Sequence, residues 1–465
     1  MKKIRYLSFL TVIALSALMV LSGCSEKSNV NNSGKSNSAQ GSTETLLNLD
    51  TSDMFTDRDL DTGYDQSTAE NIVLSDSNSK INITKAGTYI LSGTVSDGMV
   101  IVDVPDTEKV QIVLNGVSIT SKTSSAIYVK SGDKVFVTSV KGTENTLSNG
   151  GTFEAIDDNK IDGVIFSKCD ITFNGEGTVK IKSPAGHGIV GKDDVKFTGG
   201  TYVIDASSHG VEANDSIRIS NSTFEITAGK DGLHCENNDD NEKGYIYIES
   251  GTISINSDDD AIHATTILQI DGGTFNIKAA EGLEATCIII NDGTVKIEAS
   301  DDGINAAKKS TVTTPTVEIN GGKITIVMGK GDTDGIDSNG DIIINGGTVD
   351  VTGNSSFDYD GTGVINGGTV IVNGSEVTTL PNQFMGGPQG NGGMGGMRGQ
   401  SGNTVPNDAI TSATPDADGF KESGTPPQMP DFDNSQGGRQ KRPDGNFGGK
   451  PTGDSQTNGK TDKNT

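Results

Sequence analysis

The sequence predicts an all-β fold, a single-stranded parallel β-helix of about eleven coils of 21–22 residues with insertions, and three observations carry that expectation. The first is a repeat of the form polar-Gly-apolar-polar-small. Its clearest copies are Asp231-Gly232-Leu233-His234-Cys235, Asp260-Ala261-Ile262-His263-Ala264, Glu281-Gly282-Leu283-Glu284-Ala285, Asp302-Gly303-Ile304-Asn305-Ala306 and Asp334-Gly335-Ile336-Asp337-Ser338. Weaker copies begin at Asp97, Ser125, Asp162, His187, His209 and Asp360, and successive starts from 162 to 334 lie 25, 22, 22, 29, 21, 21 and 32 residues apart. The second is period-2 alternation of apolar and polar residues, repeatedly broken by glycine, the mark of short strands with one buried face. The third is composition: 62 Gly, no Trp and 5% aromatic residues suit a chain of tight turns better than an α/β enzyme.

Within one coil, Leu268 and Ile270 flank Gln269, Asp271-Gly272-Gly273 turns the chain, and Phe275 and Ile277 alternate with Asn276 and Lys278. Three such strands per repeat make one triangular coil, and coils pairing at about 4.8 Å give a rod on the order of 50 Å long. Tyr202, Phe224 and Phe275 are expected to stack along the core. A β-sandwich array is the alternative, and it would need hairpin turns. The segment from Leu46 to Lys85 is expected to cover the first coil, because an open terminal coil exposes core and strand edge.

The flanks set the compartment. Lys2, Lys3 and Arg5 precede an apolar stretch from Leu7 to Leu21, too short for a settled span and read as a signal peptide over 1–23. Leu21-Ser22-Gly23-Cys24 looks like the lipobox of bacterial lipoproteins, which implies acylation of Cys24 and attachment to the lipid membrane, outside the cell. Residues 24–45, rich in Ser, Asn and Gly, read as a disordered tether, 46–380 as the β-helix, and 381–465 as a disordered Gly/Pro/Asn-rich tail. A net charge of −26 without a basic stripe argues against nucleic acid as a partner. With Cys24 acylated, Cys169, Cys235 and Cys287 form an odd set unlike a disulfide framework, and Cys235 takes a slot held by Ala elsewhere. The chain is expected to act as a monomer.

Stacking the repeats generates two polar rows. One runs Asp162, His187, His209, Asp231, Asp260, Glu281, Asp302, Asp334; the other, three residues later, runs Ile165, Val190, Glu212, His234, His263, Glu284, Asn305, Asp337. Carboxylates about 5 Å apart repel unless protonated or bridged by a cation, and calcium, with six to eight oxygen ligands, suits such a row. The expected calcium ligands are Asp231, Asp258, Asp259, Asp260, Glu281, Glu284, Asp301 and Asp302, with Asp239 and Asp240 of the Asn237–Glu242 insertion. The bland alternative is that these are turn residues, Asp-Gly being favoured where φ is positive. The neighbouring pairs His187–His209 and His234–His263 could instead hold a transition metal with Glu212 or Glu284. No hydrolase, protease or phosphate-binding motif is present. A calcium-dependent uronate lyase would need a basic Lys, for which Lys230 is the candidate, although carboxylates around it would oppose deprotonation. For glycan contact, Tyr128, Tyr245 and Tyr247 are the outward aromatic rings, and His234 and His263 lie in the polar rows.

Leu114-Asn115-Gly116-Val117-Ser118-Ile119-Thr120, Ala126-Ile127-Tyr128-Val129-Lys130 and Gly142-Thr143-Glu144-Asn145-Thr146-Leu147, with the later Asp-Gly-Ile and Gly-Gly-Thr coils, resemble the clostridial carbohydrate-binding-domain lipoprotein family. The resemblance covers roughly residues 46–380. It implies a right-handed, pectate-lyase-like parallel β-helix with calcium sites that binds cellulose or polygalacturonate. Three functions stay distinct: a binding protein for anionic or plant-type polysaccharide, a calcium-dependent pectate or uronate lyase, and a structural surface adhesin.

Overall fold

The computed structural model describes residues 49–157, 159–330 and 333–382. The signal segment, Cys24, the tether and the tail beyond 382 lie outside the described residues.

The chain winds as a parallel β-helix with three strand ladders. The first holds twelve parallel strands, from Lys80–Ile83 through His187–Gly191, Leu233–Cys235 and Ile304–Ala306 to Ser355–Tyr359. The second runs through Lys134–Ser139, Ser216–Ile219 and Asp341–Ile344, and the third through Thr178–Ser183, Ser222–Ala228 and Thr348–Thr352. Between strands, the antiparallel pairing among the described residues is that of Thr369–Val372 with Ser375–Val377, which closes the last coil's edge. Hairpin sandwiches are therefore ruled out. The expected eleven coils become twelve rungs because Lys80–Ile83 supplies one ahead of the repeat at Asp97. At the other end Asp358, not a residue after Asp360, pairs with Asp337, so the last repeat starts at Ser355.

Alternation fills the interior. In the third ladder Tyr202 pairs with Phe224, Phe224 with Ile253 and Ile253 with Phe275, each about 1% exposed. Phe224 stacks on Tyr202 at 5.2 Å and meets Phe197 edge-on at 4.9 Å. Cys235 faces inward between Ala213 and Ala264, fully buried and unbonded to another Cys, as the Ala-like slot predicted. The glycines of the Asp-Gly repeats are not positive-φ turn residues: a side chain at Gly303 would sit 2.4 Å from the Gly335 carbonyl of the next coil. Close approach between coils, rather than turn conformation, selects glycine there.

Residues 49–63 form a strap along the outer face of the second ladder. The Leu49 amide donates to Gln269, the Met54 carbonyl accepts from Arg218, and Gln111 donates to the Gly63 carbonyl. In its one-turn helix Asp57–Leu60, capped by Thr56, the fully buried Asp59 carboxylate meets Lys134 at 2.6 Å, Lys196 at 3.6 Å and the Thr172 hydroxyl at 2.7 Å. Burial raises the Asp59 carboxyl, but the Lys134, Thr56 and Thr172 hydrogen bonds outweigh it and hold it far below the usual range.

Candidate functional site

The first ladder carries the polar seam on its outer face. In each short strand the flanking residues point inward, as Leu233 and Cys235 do, so the middle residue points out. Pairing aligns Glu212 with His234, His234 with His263, His263 with Glu284, Glu284 with Asn305, Asn305 with Asp337 and Asp337 with Asp358. The residue three positions earlier folds toward this row: His234 Nδ1 is 2.5 Å from Asp231 Oδ2, and His263 Nδ1 is 2.9 Å from Asp260 Oδ2. The two predicted rows thus merge into one seam.

Its N-terminal limit differs from expectation. Phe166, not Ile165, pairs with Val190, and Gly163, not Asp162, pairs with His187. Ile165 points inward. Ile101, Tyr128, Phe166 and Val190 make an outer apolar patch roofed by Phe153, Ile156 and Ile161. Tyr128 is fully buried there with its hydroxyl bonded to Asn159, so it offers no face to a sugar. Tyr245 and Tyr247 point outward as predicted, but the strap covers them. Phe55 packs on Tyr247, 3% exposed, and the Tyr245 hydroxyl meets Met54.

The histidine half of the seam comes first. His187, His209, His234 and His263 stack in consecutive coils at centroid distances of 5.0, 4.2 and 4.9 Å. His187 Nδ1 lies 3.3 Å from Glu212 Oε2, and Lys192 holds Glu212 Oε1 at 2.9 Å. Asp231 Oδ2 faces both His209, at 3.2 Å, and His234. Burial raises the Asp231 carboxyl, yet these two histidines hold it far below the usual range. Burial also draws His187 down to about 4, leaving a neutral ring at pH 7. Beside this half lies a cavity of about 410 Å³ lined by Lys160, Lys192 and Lys230 together with His187, His209, Glu212 and His234. Lys230 is thus placed at the histidine half, not at the cluster between 258 and 302.

Oxygen donors make the other half. Donor atoms of Asp260, Glu281 and Glu284 lie within 4.8 Å of one another. His263 sits between Asp260 and Glu284 Oε2, at 2.7 Å from the latter; burial opposes its charge, but the two carboxylates push it up to about 10. Lys309 holds Glu284 Oε1 at 2.7 Å. These two cations do not neutralise the cluster. Burial and neighbouring carboxylates drive Asp260 up, while His263 and Lys309 offset burial and draw Glu284 down. Burial and then Glu284 push Glu281 up to about 7. Burial and nearby carboxylates also raise Asp302 to about 7 and Asp337 to about 6. Asn305 Nδ2 donates to Glu281 Oε2 at 2.9 Å, and its Oδ1 is buried without a hydrogen-bond partner.

The remaining predicted ligands are not gathered. Asp258, Asp259 and Asp301 are exposed and join no group of three ligating side chains among the described residues. Asp239 and Asp240 belong to an exposed loop built on its own turns: both backbone amides donate to Asn237 Oδ1, and Asp240 Oδ1 accepts from the Glu242 amide. Sequence reasoning missed Lys309, whose 307–315 insertion gives no repeat signal, and Asn305 as an oxygen donor.

Comparison with known proteins adds a family. Residues 77–330 match the model of carbohydrate-binding domain-containing proteins, more than half of this chain and the seam from His187 to Asn305. A carbohydrate-binding domain-containing protein of Acetivibrio thermocellus is 37% identical over 145 residues, 30% of this chain and 51% of the relative. The chain therefore spans about half the length of that curated relative. A solved structure described as the polysaccharide lyase-like protein from C. thermocellum, a gadolinium derivative, is 29% identical, with 57% of this chain and 98% of that one covered at a TM-score of 0.43. On the extent of the family match, this chain belongs to the carbohydrate-binding domain-containing proteins.

Proposed function

We propose that the chain retains acidic polysaccharide, polygalacturonate being the type ligand, through calcium held at the oxygen half of the seam, and that acylation of Cys24 ties it to the outer face of the cell membrane. The observation that carries the calcium reading is the set Asp260, Glu281, Glu284 and Asn305: three carboxylates gathered with their oxygens within 4.8 Å, two of which, Asp260 and Glu281, resist ionisation, and a buried Asn305 amide oxygen that no protein donor reaches. An all-oxygen donor set of irregular geometry suits calcium. When bound, calcium supplies the positive charge that a chain of net charge −26 lacks, and it can share coordination with a uronate carboxylate. The protein's part is to hold the donors on a rigid ladder. His263 and Lys309 stand in for part of that charge, so both must yield as the cation enters.

The test is retention of the full chain on immobilised polygalacturonate with calcium and with a chelator, alongside Glu284→Gln. Calcium-dependent retention that the variant weakens supports the reading; equal retention in chelator overturns it. A lyase reading keeps one observation, the place of Lys230 at the cavity beside His187, His209 and Glu212. Release of unsaturated uronides, abolished by Lys230→Ala, would favour it over retention alone.

A further inference from the structure

We propose that His187, His209 and Glu212 form a binding site for a divalent transition metal of the zinc class, distinct from the calcium cluster and opening onto the lysine-lined cavity. Donor atoms of these three residues lie within 4.8 Å of one another. The two rings stack at 5.0 Å with planes 13° apart, His187 opening one strand and His209 lying two residues ahead of the next, so consecutive coils bring the rings side by side. His187 Nδ1 is buried without a hydrogen bond although Glu212 Oε2 is 3.3 Å away. Lys192 occupies only Glu212 Oε1, which leaves Oε2 to face the imidazoles.

The surroundings fit as well. The Asp231 backbone amide donates to His209 Nδ1 at 3.2 Å, and Asp231 Oδ2 lies 3.2 Å from the same nitrogen, so the next coil fixes the orientation of this ring. All three ligands line the cavity of about 410 Å³, which gives the open coordination position seen where three protein groups hold zinc. Two imidazoles and one carboxylate select borderline cations such as zinc, cobalt or nickel over calcium, whereas the cluster at Asp260, Glu281 and Glu284 offers oxygen alone. One ladder thus carries two sites of opposite preference, and the second stands whether or not the carbohydrate reading holds.

The experiment is a titration of the chelator-stripped full chain with cobalt(II), followed by its visible ligand-field absorption, in excess calcium. One saturable equivalent, displaced by zinc but not by calcium, is expected. His187→Ala and Glu212→Gln should each weaken cobalt binding by at least about 100-fold, beyond the 10- to 100-fold typical of outer-shell changes. Glu284→Gln should leave it unchanged. Glu212→Gln preserves shape and decides the matter if the histidine variant does not fold. No saturable uptake, displacement by calcium, or undiminished affinity in Glu212→Gln would overturn the assignment. So would loss in His234→Ala with His187→Ala intact.

Discussion

Replacing Asp59 by Asn removes one charge from the centre of the strap and almost no volume. Its carboxylate is fully buried and faces Lys134 and Lys196, whose side chains are 10% and 7% exposed, so the variant removes the carboxylate that both buried ammonium groups contact. Breaking one side of a buried pair costs about 3–5 kcal/mol. The ladders pair without the strap, so the loss should appear as local opening of residues 49–63 rather than unfolding of the rod. A cost of about 3 kcal/mol raises the open population on the order of 100-fold, at 1.4 kcal/mol per factor of ten. Native-state proteolysis with mass-spectrometric mapping reads this directly, since cleavage follows the open population when reclosing is fast. Acid should mimic the variant. The Asp59 carboxyl is depressed on folding, so its contribution is whole above the unfolded value near pH 4, declines progressively below it, and is fully lost only as pH falls through the much lower folded value. Unchanged cleavage of 49–63 in Asp59→Asn, or strap protection that survives below pH 3 as well as at pH 7, would refute the account.

Other consequences are equally specific. Phe224→Ala empties a slot between Tyr202 and Phe197 and should cost about 3–5 kcal/mol in urea unfolding of the rod. Gly303→Ala places a methyl 2.4 Å from the Gly335 carbonyl and should cost about 1–3 kcal/mol, visible as a lowered melting temperature. Glu281 and Asp302 are raised to about 7 on folding, so the metal-free protein should lose stability as pH rises from about 4 through 7. Under the proposed calcium reading the cation would displace the Glu281 proton, so its affinity should climb over the upper part of that range. Calorimetry in two buffers of different ionisation enthalpy would report the released protons, and a pH-independent affinity would contradict the assignment. Cys169, Cys235 and Cys287 are buried and burial raises all three thiols, so a thiol reagent at pH 8 should label none of them until the rod is unfolded.

The ladders are legible in the sequence because each inward residue obeys local alternation: Leu233-His234-Cys235 states in three residues which side is core. The seam follows from the same rule, which by itself sets Glu212, His234, His263, Glu284, Asn305 and Asp337 in the row that the strand pairing shows. Register fails where coil length departs from the period. Between the strands at 163 and 187, aligning Asp162 with His187 slips by one residue, and a slip of one turns Phe166 inward on paper and Ile165 outward. Tyr245 and Tyr247 mislead for a different reason. Their outward direction is local, but their cover is the strap, whose Leu49 reaches Gln269 across 220 residues of chain with no repeat to announce it. Acidic residues near the seam look alike in sequence; only the bend before each strand turns Asp260 toward Glu284 while Asp258 and Asp259 face solvent.

The central claim is that calcium at Asp260, Glu281, Glu284 and Asn305 couples this rod to an acidic glycan. The most direct measurement is the affinity of the full chain for polygalacturonate by calorimetry, in calcium and in chelator, for the native sequence and for Glu284→Gln. The account predicts binding in calcium alone and a loss of at least about tenfold in the variant, equal to about 1.4 kcal/mol. Equal affinity in chelator, or a Glu284→Gln protein that binds like the native one, would contradict it.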